Sequence, residues 1–502
     1  MSIIITSLFK DLPVKMFGEE KKIRGISFHS QQTKPGDLFV AINGFSTSGK
    51  NYIEQAIQNG AVAIATDDAG LISKIVEKYN VTGVYTDNPR RFLAIVANRF
   101  FDFPSKKIKL IGITGTNGKT TTSYLIKSII EQWGEKVGLT GTISYFDGSK
   151  WIPATNTTPE SLDLVSFLAN LVSKNIKYCV SEVSSHALAL ERTYGLDFAV
   201  AIFTNLTSDH LDFHGSKQAY GAAKLKLFES LDTEAYAIIN LDDSFSKEII
   251  NSTKAKVVGY SLKNKHSDFY AEIVSTNETG TEIIINSGQN QVPNKSQSLR
   301  IHTKLIGEHN IYNVLASIAT AKVLKIPDEA IVKGIENIKF IPGRLEKIES
   351  EQGFTVYIDY AHTEDALLVV IQSLRNITQG RLIVVFGCGG NRDCLKRPAM
   401  GKVTTELADF VIVTSDNPRN EDPMKIIEDI KKGIKKNNYE VIVDREMAIS
   451  RALSLAKKDD VILIAGKGHE NYQIIRDKIL PFSDKEVVEK MLKAKRNAQN
   501  LL

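Results

Sequence analysis

The chain has 502 residues, with 63 Lys and Arg against 58 Asp and Glu, and its net charge of +5 is spread without a basic block. That length exceeds what one core organises and asks for two to four domains, while the even charge excludes a nucleic-acid tail. Cys179, Cys388 and Cys394 fit neither a disulfide framework nor a zinc cluster, and the opening MSIIITSLFK has no basic lead or cleavage site, so a cytoplasmic chain without membrane insertion is expected.

Residues 1–105 read as a small α/β domain, with DLFVAI and AVAIAT as strands between helical stretches. Near its end stands Asp87-Asn88-Pro89-Arg90, followed at once by RRFLAIVANRFF with apolar residues at helical spacing. This predicts a helix with Asn88 as cap and Pro89 in the first turn. In residues 106–340, KKIKLIGITGTNGKTTTSYLIKSIIEQWG reads as a buried strand, a glycine-bearing loop and a helix that stops at Gly134. YCVSEVS, FAVAIFTNL and AYAIINL follow as further strands, as expected for a mostly parallel sheet with helices on both faces. From about Lys256 to Thr303 the pattern becomes alternating, with NETG as a hairpin turn, and predicts a β-rich addition to this central domain. In residues 341–502, VYIDYAH, RLIVVFG, DFVIVTS, YEVIVD and VILIAG are five strands interleaved with helices, a doubly wound, Rossmann-like domain. The tetrapeptide DNPR recurs there as Asp416-Asn417-Pro418-Arg419. Asp422 and Pro423 supply the start of the next helix, which leaves the second copy free in a loop. The fold class is therefore α/β with three domains.

Gly115, Thr116, Asn117, Gly118, Lys119, Thr120 and Thr121 lie between strand and helix, where backbone N–H groups and a helix N-terminus can surround phosphate oxygens. Lys119 would reach the terminal phosphates and Thr120 would ligate Mg²⁺. The strict spacing of such loops has glycine where this chain has Ile113, so an ordinary tight turn is the plainer reading. The order strand, loop, helix favours a nucleotide. A carboxylate at a strand end, Glu182, and an imidazole, His210, can both approach a Mg²⁺ held by Thr120 and phosphates; taken singly, each also fits a surface or packing role.

With the loop, the motifs SEVSSHAL, TNLTSDHLDFHG, YGAAK, GEHNIYNVLAS, PGRLE, DYAHT, GCGGNRDCLKRP and AGKGHE run in order along nearly the whole chain. In these the chain resembles the Mur ligases, the ATP-dependent family that adds amino acids to the peptidoglycan precursor. TTP after Asn156, SSHAL and the DNPR–GKGHE pair resemble the members that join a diamino acid to UDP-N-acetylmuramoyl-L-alanyl-D-glutamate.

The resemblance implies ATP and Mg²⁺ as cofactors, a UDP-muramoyl dipeptide and a diamino acid as substrates, an acyl-phosphate intermediate, and a monomer. It also implies a catalytic role for Lys119, His210 and Lys224. Asn310, Arg344 and His362 fall at ATP-contacting positions, where a helix cap, a linker salt bridge and a loop filler are the plainer readings. Lys224, otherwise a solvated helix lysine, is implied to be carbamylated to N6-carboxylysine and to join Thr120, Glu182 and His210 as metal ligands. That modification requires a neutral amine, so a lysine of ordinary pKa about 10.4 needs desolvation or a cationic neighbour. Ser30, Phe45, Ser46 and Thr47 are implied on the uridine side, and Asn156, Thr157, Thr158, Ser184 and Arg192 along the muramoyl peptide. Arg392, Asp416, Asn417, Pro418, Arg419, Gly466 and Glu470 are implied around the diamino acid. The chain departs from the usual pattern at His29 and Gln31 around Ser30, at Leu190 before Arg192, and at Asn391 and Cys394 around Arg392.

Three of the third domain's strands end in GCGGNRD, TSDNPR and AGKGHE, which puts Arg392, Arg419 and Glu470 within reach of one pocket. A planar guanidinium binds a carboxylate through two parallel hydrogen bonds. In this motif the resemblance associates Arg419 with meso-diaminopimelate, whose far end carries a carboxylate, rather than with L-lysine. The competing functions are the same ligase step with L-lysine, another amide-forming ligase such as a folylpolyglutamate synthase, and a P-loop protein that binds ATP as a switch without catalysis.

Overall fold

The computed structural model describes residues 2–44, 47–288 and 298–499. Three main sheets follow one another along the chain. In the first, Lys15–Phe17, Thr82–Tyr85, Ala63–Thr66, Asp37–Val40 and Gly25–Ser27 lie side by side, parallel apart from the Lys15–Phe17 edge. The helix Pro89–Phe100 begins as its sequence predicts: the Asn88 side chain accepts from the Arg91 N–H, and Pro89 sits in the first turn.

The central sheet has eleven strands among the described residues, and Lys109–Thr114 is in its interior. Its run KLIGIT is apolar without alternation because both faces are covered. Tyr178–Glu182 and Val200–Phe203 flank it in parallel, and Glu182 pairs with Ile113 while Phe203 pairs with Thr114. That register brings the carboxyl ends of all three strands level with the glycine-bearing loop. The alternating stretch after Lys256 does not stand apart: Tyr260 of Lys256–Ser261 pairs with Phe269 in parallel, so Phe269–Asn277, Gly280–Ser287 and Leu299–Thr303 extend the same sheet. The predicted turn falls between Asn277 and Gly280, where Gly280 takes φ +140°.

The third sheet contains the five expected strands in parallel and a sixth, antiparallel one, Glu346–Glu349. EKIE is too short and polar to read as a strand, and it is recruited by pairing with Thr355–Asp359. Asp359 pairs with Ala465, and Phe386 with Val413. The loops that follow these strands therefore gather at one edge.

Apolar packing joins the domains unequally. Phe92 and Leu93 of the first domain share one cluster with Leu162, Leu164 and Phe198 of the central one. The third domain has clusters on the two faces of its sheet, one of which also buries Ile306 of the central domain, while Ile341 packs into a central-domain cluster.

Candidate active site

The helix Lys119–Gln132 follows Gly118 directly, and no side chain caps its first turn. Its leading N–H groups thus face the loop, a ready anion site. Gly118 takes φ +89°, and a side chain there would come within 2.3 Å of Asn313 Oδ1; at Gly115 one would come within 1.9 Å of Thr204 Oγ1. Thr204 Oγ1 donates to Asn117 O at 2.6 Å and Asn205 Oδ1 accepts from Asn117 N at 2.9 Å, so the next strand's end braces the loop. Lys119 Nζ donates to Gly115 O and Thr116 O at 2.9 and 2.8 Å. Burial pushes its pKa down, against the charges of Glu182 and Asp209.

Thr120 Oγ1 donates to Glu182 Oε2 at 3.1 Å and accepts from Arg344 Nη2 at 3.2 Å. Arg344 also lies 4.7 Å over the Tyr360 ring. It is therefore no linker salt bridge: it joins the third domain to the glycine-bearing loop and its helix at Thr120. Asn310 lies inside the helix Glu308–Val323 rather than capping it, with its amide donating to Ile306 O at 2.8 Å. His362 Nδ1 is 2.8 Å from Tyr360 O. A cleft of about 460 Å³ is lined by the loop from Thr116 to Thr121, by Glu182 and His210, and by Asn310, Arg344 and His362. Thr157 and Ser184 line the same cleft.

The four expected metal ligands are divided. Thr120 and Glu182 touch, and His210 stands on the cleft wall with Nε2 3.4 Å from Asp209 Oδ2 and its pKa lowered by burial to about 3. Lys224 does not line the cleft: it is 1% exposed, and its Nζ donates to Gly115 O at 2.8 Å. Lys224 is thus not a solvated lysine. Burial, and next the charge of Lys119, hold its pKa well below the ordinary lysine range. Among the described residues no three His, Cys, Asp or Glu side chains form a metal cluster. The oxygen donors of Thr120 and Glu182 suit a hard cation that takes its remaining ligands from phosphate and water.

Among the residues expected along the muramoyl peptide, buried Thr158 donates to Glu182 O at 2.8 Å, Thr157 Oγ1 lies 3.1 Å from Thr142 Oγ1, and Ser184 caps the helix Ser185–Ala189. Arg192 donates to Thr158 O at 3.0 Å and pairs with Glu160 at 3.3 Å, contacts that do not need a glutamine at position 190. Asn156 is exposed, and its carbonyl accepts from Tyr145 at 2.6 Å. Ser30 donates to Gln55 at 2.7 Å, and Thr47 Oγ1 is 3.5 Å from the Tyr52 hydroxyl. Phe45 and Ser46 lie outside the described residues.

The second DNPR meets the GKGHE loop. Asn417 Nδ2 donates to Glu470 Oε2 at 2.8 Å, and Lys467, fully buried, donates to Glu470 Oε2 and Asn417 Oδ1 at 3.0 and 3.2 Å. Gly466 takes φ +112°, and a side chain there would come within 2.7 Å of Asp416 Oδ2. Arg419 is left-handed at φ 51°, and Nη1 donates to Gly390 O at 2.8 Å. Burial lowers its pKa, and the charge of Arg392 adds to that. A side chain at Gly390 would come within 1.9 Å of Pro418 O, so the first glycine-rich loop packs directly on DNPR. Asn391, itself at φ 51°, accepts from Asn420 N at 3.0 Å, and Cys394 is exposed.

Sequence reasoning misses Lys467 and the hairpin Tyr472–Ile475 with Lys478–Pro481. Ile474 O accepts from Arg419 N at 3.0 Å, and Arg419 O accepts from Arg476 N at 2.7 Å. Lys467 stands inside the quoted motif and only its burial distinguishes it; the hairpin has no turn signature among QIIRDKILP.

Residues 22–101, 113–321 and 343–468 match family models described as Mur ligase family, catalytic domain, Mur ligase middle domain, and Mur ligase, glutamate ligase domain. A UDP-N-acetylmuramoyl-L-alanyl-D-glutamate–2,6-diaminopimelate ligase of Caldanaerobacter subterraneus subsp. tengcongensis is 45% identical over 472 residues, 94% of this chain and 95% of its own length. The protein of the same name from Clostridium tetani is 43% identical over 475 residues, again 94% and 95%. A solved structure of a ligase of that name is 30% identical, with a TM-score of 0.67 over 99% of this chain and 100% of its own. The MurF ligase of Thermotoga maritima in complex with ADP, 18% identical, shares the fold with a TM-score of 0.64 over 95% of this chain and 98% of its own. The chain belongs to the Mur ligase family of ATP-dependent, amide-forming ligases.

Proposed function

We propose that this enzyme joins meso-diaminopimelate to UDP-N-acetylmuramoyl-L-alanyl-D-glutamate at the expense of ATP. The observation that carries this reading is the single cleft in which the phosphate loop meets Thr157 and Ser184, while Arg344 and His362 enter from the third domain. A carboxylate oxygen of the D-glutamate attacks the γ-phosphorus, the bond to the bridging oxygen breaks, and ADP leaves. The amine of the diamino acid then attacks the acyl carbon, phosphate departs with the C–O electron pair, and the nitrogen loses its proton. Phosphorylation is needed because a carboxylate has only oxide to expel.

Lys119 and Arg344 offset the charge that builds as two anions approach, which is electrostatic and positional work. Lys119 does so by exchanging its loop carbonyls for phosphate oxygens. Gly115, Thr116, Asn117, Gly118 and Thr121 cradle the phosphates, and Asn310 and His362 orient the nucleotide. Thr120, Glu182 and His210 would hold Mg²⁺, which would neutralise phosphate charge. Lys224 has the desolvated site and cationic neighbour that favour a neutral amine. Its Nζ adds to CO₂, an N–C bond forms, a proton is released, and the carbamate supplies an anion beside Gly115.

Ser30, Phe45, Ser46 and Thr47 take the uridine end, and Asn156, Thr157, Thr158, Ser184 and Arg192 the muramoyl peptide. Arg392 and Arg419 take the far carboxylate of the diamino acid. Glu470, with Asn417, takes an ammonium, and Asp416, Pro418 and Gly466 shape the loop pair. The chain works as a monomer. The test is phosphate release with each substrate withheld in turn. Release that requires both the muramoyl dipeptide and meso-diaminopimelate, with L-lysine a poor replacement, is expected. Equal use of L-lysine overturns the specificity, and release indifferent to either substrate overturns the ligase. Depletion of CO₂ and bicarbonate should lower the rate reversibly; an unchanged rate removes the carbamate.

A further inference from the structure

The first DNPR copy does more than begin a helix. Capping uses Asn88, which leaves Arg90 free, and its guanidinium reaches away from its own helix. Nη2 donates to Asn43 O at 2.8 Å and Nη1 to Glu160 Oε2 at 2.6 Å. The same Glu160 oxygen lies 3.3 Å from Arg192 Nε, and Arg192 Nη1 donates to Thr158 O at 3.0 Å. A chain of three hydrogen bonds and one ion pair, the Glu160–Arg192 contact being the ion pair, in which Arg192 Nε makes no hydrogen bond, thus runs from Asn43 through Arg90, Glu160 and Arg192 to Thr158 across the boundary between the first and central domains. The three charged side chains are only 17%, 9% and 12% exposed, in that order.

Neither end of this chain is arbitrary. Asn43 bridges to Ser48 and accepts from the Ser48 hydroxyl at 2.7 Å, and Gly44 N donates to Thr47 O at 2.9 Å, so Asn43 stands at the base of a closed loop that includes Thr47. Thr158 adjoins Thr157 on the cleft wall. Docking of the two domains does not need these ions, because they already share an apolar cluster, and burying charges at such a boundary costs desolvation that pairing only partly offsets. Two guanidiniums on one carboxylate also leave a positive charge over. The Asp163 carboxylate, its pKa raised first by burial, lies within range of Glu160 and Arg192.

We propose that Arg90 is a positioning residue that couples the nucleotide end of the UDP-muramoyl dipeptide to its peptide end, by fixing the loop closed by Asn43 relative to the Thr157–Thr158 segment. This rests on the substrate reading above. In the full-length enzyme, Arg90→Ala is expected to raise the KM for UDP-muramoyl dipeptide about 10-fold or more and to leave the KM for ATP and diaminopimelate unchanged. Calorimetric binding of UDP alone, which reaches only one end, should weaken less than about 3-fold. Glu160→Gln should reproduce the effect, the double variant should add little to either single one, and Arg90→Lys should restore part of it by keeping the Glu160 contact. Melting temperatures recorded for each variant separate misfolding from uncoupling, and Glu160→Gln, which keeps the shape, carries the test if Arg90→Ala fails to fold. Equal weakening of UDP and of the whole ligand, equal losses for all three substrates, or an unchanged KM each overturns the coupling. If the unaltered enzyme binds no UDP-muramoyl dipeptide, the substrate reading falls first and the coupling with it. If it binds and the variants bind as well, the coupling alone falls.

Discussion

Asp87–Arg90 and Asp416–Arg419 are the same four residues in different surroundings. In the first copy the amide oxygen of Asn88 accepts the Arg91 N–H, its nitrogen donates to Glu191 at 3.0 Å, and Pro89 and Arg90 are helical, so only its oxygen serves the local helix. In the second, Asn417 spends its side chain on neighbours distant in sequence: its oxygen accepts from Ile474 N at 2.9 Å and from Lys467, and its nitrogen donates to Glu470. The helix that follows takes its cap from Asp422 instead. Freed from capping, the second tetrapeptide turns left-handed at Arg419, where a guanidinium and a backbone edge are both available. A motif's role is thus set by whether the next residues can continue a helix from it.

The largest expected contrast is between the arginines. Arg419→Ala should raise the KM for diaminopimelate on the order of 100-fold, the usual scale for removing one partner of a buried charged hydrogen-bonded pair, with the KM for ATP unchanged. Steady-state titration of each substrate checks this, and Arg90→Ala in the same assay should leave diaminopimelate unaffected. Next in size, Asn417→Ala should raise the diaminopimelate KM roughly 10-fold through loss of charge-assisted bonds without lowering the denaturant midpoint by more than the loss of those contacts, because Asp422 keeps its helix capped.

A pH titration sharpens the contrast further. Burial is the largest influence on Glu470 and raises its pKa, with Lys467 opposing. A raised carboxyl pKa means that the ionised form is lost sooner as pH falls. Diaminopimelate affinity should therefore decline on acidification at a pH above the ordinary glutamate value of about 4.3. Lys467→Met should move that limb to higher pH, and Glu470→Gln should abolish it. The smallest effect belongs to the first copy's asparagine: Asn88→Ala should cost about 1 kcal/mol of stability, the typical value of an N-cap, with all three substrate KM values nearly unchanged. Urea unfolding together with the kinetic assay checks both halves.

Much of the site was legible because the signal was local. The strand Lys109–Thr114, the loop and the helix Lys119–Gln132 lie within two dozen residues, and the pairing of Glu182 with Ile113 follows from a second apolar strand of the same kind. The meeting of the second DNPR with the GKGHE loop was legible for a related reason, since parallel strands end at one edge of a sheet. Glu346–Glu349 and the hairpin at Tyr472–Pro481 were not, because each is stabilised by a pairing partner rather than by its own composition.

Sequence by itself determined the elements that a few neighbouring residues encode: the strand, glycine-bearing loop and helix at residues 109–132, the Asn88 and Asp422 caps, and the α/β alternation. Backbone hydrogen bonding and hydrophobic period act over that range. Tertiary structure alone decided that Lys224 is desolvated against Gly115, that Arg344 reaches Thr120 from 224 positions away, and that Arg90 finds Glu160. Desolvation and charge pairing depend on which distant segments pack together, and no local stretch of the chain carries that information.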